Sequence, residues 1–123
     1  MSQILVPGPD HPISVDPTDG HVVVRAGGVV VAESDRALTL AEAGYPPVQY
    51  VPVDDVDPGA LRPTSTSTHC PYKGDASYWT LTVAGGDLVD AVWGYPHPHE
   101  AVAPIAGHVA FAHDDVEVTV QGS

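Results

Sequence analysis

Ser77-Tyr-Trp-Thr-Leu-Thr-Val83, then Ala84-Gly-Gly-Asp87, then Leu88-Val-Asp-Ala-Val-Trp93 run on without interruption, and their reading decides the fold. Two runs rich in β-branched and aromatic residues flank a glycine turn, which is the signature of a β-hairpin. Upstream the same design recurs: His21-Val-Val-Val-Arg25, a turn at Gly27-Gly28, and Val29-Val-Val-Ala-Glu33. The two hairpins share no motif beyond the glycine turn, so no internal repeat is read from them.

Between the hairpins the signals are mixed. Ser34 could cap a helix through Ala43 with Gly44 just past its end. The alternation of Ala37, Thr39 and Ala41 fits a strand about as well, and both readings stay open. Pro46-Pro47 breaks the chain, Val48-Gln49-Tyr50-Val51 reads as a short strand, and Pro52 ends it. Pro52 can start one helical turn with Asp54 and Asp55 at its positive end. Residues 58–70 read as loop, being dominated by Pro, Ser and Thr. Downstream, Tyr95-Pro-His-Pro-His99 is too proline-rich for a central strand. His108–Phe111 and Val116–Val120 read as closing strands.

The expected fold is therefore mainly β: antiparallel sheets arranged as a sandwich or partly closed barrel, with little helix. Residues 1–20, with prolines at 7, 9, 12 and 17, are expected to form an extended N-terminal arm, and 21–123 a single β domain. A chain of 123 residues, 43% of them hydrophobic, can bury a core without staples.

Charge narrows the partners. Arg25, Arg36, Arg62 and Lys73 stand against sixteen acidic residues, for a net charge of −12. Binding to nucleic acid needs a basic footprint that neutralises phosphates, and none is present. The same excess disfavours anionic membrane surfaces. No apolar run approaches a membrane span and the first residues lack a signal-peptide pattern, so a cytoplasmic location is expected. Cys70 is the lone cysteine, which rules out an intramolecular disulfide and a paired-cysteine zinc knuckle.

Candidate chemistry is densest in Thr68-His69-Cys70-Pro71-Tyr72-Lys73-Gly74-Asp75-Ala76-Ser77-Tyr78-Trp79. A thiol beside a histidine and near a lysine could be an activated nucleophile. Neighbours in an extended chain point apart, however, and a lone cysteine also serves as a small buried hydrophobe. Lys73 could hold an anionic or carbonyl ligand, or simply pair with a carboxylate such as Asp75. Tyr50, Tyr72, Tyr78, Trp79, Trp93 and Tyr95 are six of the eight aromatics and could line a pocket for a flat ligand, or pack the core. Alternation along the strand puts Tyr78 and Trp79 on opposite faces. His97 and His99, with Glu100 beside them, could share a metal ion, but no third ligand is spaced to help. Asp54/Asp55 and Asp114/Asp115 read as helix-start and turn residues. No metal and no cofactor is expected. Phosphate-loop and serine-hydrolase elbow motifs are missing.

A larger pattern carries a resemblance. It comprises Pro46-Pro47-Val48 with Tyr50, Pro52 and Asp55-Val56; the run Thr68-His69-Cys70-Pro71-Tyr72-Lys73-Gly74 with Ala76, Tyr78 and Trp79; and Ala91, Trp93, Tyr95-Pro96, Ile105-Ala106-Gly107-His108 and Phe111. In these residues the chain resembles the family of domain of unknown function DUF427. The resemblance implies twisted antiparallel sheets of the Mss4-like or β-tent type, whose wider kin include B-type methionine sulfoxide reductases and the drug-binding domain of cereblon. Such relatives place a ligand between sheets, often near a zinc held by four cysteines, and those cysteines are missing here. A nucleotidyltransferase-like label attached to the family finds no support, because that chemistry wants a Gly-Ser loop and spaced carboxylates holding two metals.

Three functional readings follow. The first is a module binding a small, partly flat or anionic ligand, with Tyr50, His69, Tyr72, Lys73, Trp79, Trp93 and Tyr95 around it. The second is an enzyme acting on a small metabolite through His69, Cys70 or Lys73. The third is a protein-interaction domain without a small ligand. The segment 68–79 and Trp93 are expected to line one common cavity.

Overall fold

The computed structural model describes residues 6–83 and 86–122. Its strands, in chain order, are β1 (Ile13–Pro17), β2 (His21–Ala26), β3 (Val29–Ser34), β4 (Leu38–Glu42) and β5 (Val48–Pro52). They continue with β6 (Leu61–Cys70), β7 (Gly74–Val83), β8 (Gly86–Gly94), β9 (His108–Phe111) and β10 (Val116–Gln121). Three short 3-10 segments, Val53–Asp55, Pro58–Ala60 and Glu100–Ile105, are the helical content among the described residues. The protein is mainly β, as its sequence indicates. No helix among the described residues is long and apolar enough to cross a membrane.

Two antiparallel sheets form. The larger has the order β1-β4-β5-β9-β8-β7-β6 and the smaller the order β10-β2-β3. The large sheet is not closed, since β1 and β6 are its two ends. Both glycine hairpins are present as β2–β3 and β7–β8. Gly27 and Gly28 turn the first with φ of 59° and 81°, a region a Cβ disfavours. Of the second turn, Ala84 and Gly85 lie outside the described residues.

The ambiguous segment after Ser34 is resolved as the strand β4, which pairs with β1 on one side and β5 on the other. Ser34 caps no helix. Its hydroxyl donates to Asp55 at 2.6 Å and accepts the Arg36 N–H at 2.9 Å, which pins β3 to the turn after β5. Residues 13–17 of the proline-rich N-terminal stretch form β1 at the sheet edge.

Reading residues 58–70 as loop needs correction. After a 3-10 turn at Pro58–Ala60, Leu61–Cys70 is a ten-residue edge strand paired with β7. Its Ser and Thr side chains suit a mostly exposed edge. Pro63 sits beside a register break between Pro63 and Ser67, where a missing N–H costs least.

The large sheet is buried on both faces. On one, Val22, Val24 and Val31 of the small sheet pack against Val51, Leu81, Val92 and Val109. On the other, a second cluster is built from Leu40, Tyr50, Tyr95 and Ala110 with Val102 and Ile105 of the 3-10 segment Glu100–Ile105. Alternation along β7 assigns its side chains to the two sides: Trp79 and Leu81 face the first cluster, Ala76 and Tyr78 the second. The expected opposition of Tyr78 and Trp79 is therefore present.

Candidate functional site

The residues singled out from the sequence separate into four places. Tyr50, Tyr95, Trp93 and Cys70 belong to the second cluster, with Tyr50 only 1% and Tyr95 only 7% exposed. Burial pushes the phenols of both tyrosines up, although the Lys73 charge and the Trp93 side chain oppose this at Tyr50. Tyr50, Trp93 and Cys70 pack together as core and line neither of the open spaces described below, whereas Tyr95 also borders one of them.

Lys73 and Tyr72 lie at the β6–β7 tip and form a latch. The Lys73 ammonium donates to Glu42 Oε1 at 2.8 Å and stands 5.7 Å from the centre of the Tyr95 ring. His11 Nε2 bonds the other Glu42 oxygen at 2.8 Å, and the His11 ring stacks on Tyr72 at 4.1 Å. Burial opposes both charges, yet mutual attraction prevails: Lys73 is held above its ordinary range and Glu42, aided by His11, below its own. The latch thus joins the end of β4 to the tip of the β6–β7 hairpin. Lys73 is committed to Glu42 rather than offered to a ligand.

His69 lies elsewhere. It is paired across the hairpin with Asp75, whose Oδ1 accepts from His69 Nδ1 at 2.6 Å. Cys70, one residue on, turns to the opposite face and packs against the second cluster. The two therefore form no thiol–imidazole pair. Cys70 is half-buried. It is expected to react slowly with a neutral-pH thiol reagent in the folded protein and promptly after unfolding, because access limits a packed thiol. Rapid stoichiometric labelling of the native protein would contradict this packing.

The open feature beside His69 is a cleft of about 310 Å³, lined by His69, Asp75, Ser77, Pro96, His97 and His99, with Gly74 at its floor. The proline-rich segment 95–99 reaches it through a backbone bond from His99 N–H to the Lys73 carbonyl at 3.0 Å. Gly74 is required there. Its φ is 115°, and a Cβ would come within 3.2 Å of the His97 carbonyl oxygen and 3.5 Å of the His99 ring. The buried Nδ1 of His99 has no hydrogen-bond partner among the described residues, so this ring carries unused hydrogen-bonding capacity.

Trp79 is on the same side of the sheet as His69 but in an adjoining slot of about 180 Å³, with Gly94, Pro96, His108 and Val109. Segment 68–79 and Trp93 consequently do not share one cavity. Trp93 and Cys70 face the second cluster, His69 the histidine cleft, and Trp79 the slot. From sequence alone, His97 and His99 read only as a metal pair. Their meeting with His69 has no local signal beyond the prolines that keep the segment extended. Among the described residues, no group of three or more His, Cys, Asp or Glu side chains is arranged to hold a metal ion.

The model of a family described as a domain of unknown function, DUF427, matches residues 14–122. No curated protein matches the chain.

Proposed function

This chain belongs to the DUF427 family, and from the geometry of its site we propose that it binds a small, uncharged, hydrogen-bonding molecule in the cleft among His69, His97 and His99. The observation that carries the reading is the convergence of three imidazoles and the Ser77 hydroxyl on one cleft of about 310 Å³. That volume is of the size ligand pockets have. Imidazole and hydroxyl groups both donate and accept, which suits an amide or a hydroxyl-bearing group.

Charge argues against the anionic ligand considered from sequence. Lys73, Arg36 and Arg62 are paired with Glu42, Asp55 and Asp87 respectively. Asp75 stands at the cleft itself, and the net charge is −12. An approaching anion meets repulsion, and no Lys or Arg lines the cleft. An Mss4-like or β-tent kinship, with a ligand held near the sheets, belongs to the same proposal.

A second reading has one observation in its favour. Asp75 holds Nδ1 of His69 and Nε2 has no hydrogen-bond partner among the described residues, the arrangement of a carboxylate-oriented general base. The pair is 35% and 79% exposed, though, so solvent competes for it and the orientation is weakly held. Binding is the better-supported role.

Separate titrations with acetamide, acetate and methylammonium, read by the imidazole Cε1–H signals of the seven histidines, test the proposal. Acetamide is expected to move His69, His97 and His99 saturably and leave His21 and His113 in place. Silence of the cleft histidines toward acetamide, or a stronger response to acetate, would refute it.

A further inference from the structure

We infer that the histidine cleft continues along β7 into the slot at Trp79, so that the ligand is amphipathic: a flat, uncharged ring at Trp79 joined to a hydrogen-bonding group among the histidines. This rests on the reading of the histidine cleft given above and names the class of ligand.

The strand itself links the two spaces. Asp75, Ser77 and Trp79 occupy alternate positions of β7 and therefore share a face. Asp75 and Ser77 line the cleft and Trp79 lines the slot, while Pro96 borders both. Ser77, the cleft residue nearer Trp79 along β7, is two strand positions from it, a span of about 7 Å. One elongated molecule can reach from one space to the other.

The chemistry of the walls changes along that span. The cleft end carries imidazoles and a hydroxyl. The slot end is almost wholly apolar, with Trp79, Tyr95, Val53 and Val109 in its wall. Gly94, opposite Ser77 in the β7–β8 register, keeps this end open. A Cβ there would lie 3.5 Å from Trp79 Cζ3 and 2.8 Å from the His108 carbonyl oxygen. Apolar cavities of about 150 Å³ are large enough for benzene. The slot, at about 180 Å³, suits one aromatic ring. A ring beside Trp79 would gain apolar burial and an aromatic contact together.

Benzamide is the probe, with acetamide as its ringless control. Both are titrated into the protein while the Trp79 indole N–H and the imidazole signals are followed by NMR. Trp93, on the opposite side of the sheet, provides an internal reference. Benzamide is expected to bind at least about tenfold more tightly than acetamide, a difference of about 1.4 kcal/mol. It should move Trp79, His97 and His99 together and leave Trp93 unmoved. Gly94→Ala should abolish the benzamide advantage while acetamide binding persists. The wild-type titration decides the matter even if that variant does not fold. If acetamide moves the histidines but benzamide binds no better and Trp79 stays still, the extended trough is wrong and the cleft reading survives. Movement of Trp79 without the histidines would also overturn the trough. If neither probe moves the cleft histidines, both readings fall.

Discussion

Truncation of Tyr50 to alanine is expected to cost about 3–5 kcal/mol, the range for removing a large aromatic from a packed core. Tyr50 is 1% exposed on β5, facing Leu40, Tyr95, Val102 and Ile105. Small domains have only about 5–15 kcal/mol of net stability. The loss should lower the melting midpoint by roughly 10–20 °C. Tyr50→Phe keeps the ring and should cost only about 1 kcal/mol. A small change on truncation to alanine would mean that the second cluster is not a packed core.

The second large effect is expected at the latch. Lys73→Met leaves Glu42 with His11 as its remaining partner while both Lys73 and Glu42 side chains are about 15% exposed or less. Breaking a fully buried pair costs about 3–5 kcal/mol, and the residual exposure here lowers the expectation to about 2–3 kcal/mol at neutral pH. Replacing both, Lys73→Met with Glu42→Leu, should recover much of that loss, because no unpaired charge remains. The pH dependence follows from the directions of the shifts. Glu42 is held below 4.5, so its contribution is present above that value and lost as pH falls through the lower folded value. Lys73 is held above 10.5, so its contribution is complete below that value and lost as pH rises through the higher folded value. Denaturant unfolding across pH should therefore show the wild-type advantage over Lys73→Met to be flat between these limits and to shrink on acidification. An advantage that grew toward acid would contradict the pairing.

The local part of the fold was legible because strand alternation and glycine turns are local signals. The β2–β3 and β7–β8 hairpins, and the opposite facing of Tyr78 and Trp79, came from runs of a few residues. β6 was missed because Ser, Thr and Pro mark loops and exposed sheet edges alike. The distribution of the candidate residues was harder still. His69, Cys70 and Lys73 are near neighbours in sequence, yet alternation turns His69 and Cys70 to opposite faces of β6 and the turn after Cys70 carries Lys73 away, so they reach the cleft, the second cluster and the latch. Glu42, which holds Lys73, is 31 positions away. His97 and His99 return to His69 only through a backbone bond to the hairpin tip. Periodicity cannot report such meetings, since the topology of the whole sheet creates them.

The trough from the histidine cleft to Trp79 is tested most directly by a crystal structure of the protein soaked in benzamide. The account expects density for one molecule along β7, its ring in the slot between Trp79 and Gly94 and its amide beside Ser77 in the histidine cleft. A benzamide seated elsewhere, or a slot and cleft both empty at saturating probe, would contradict it.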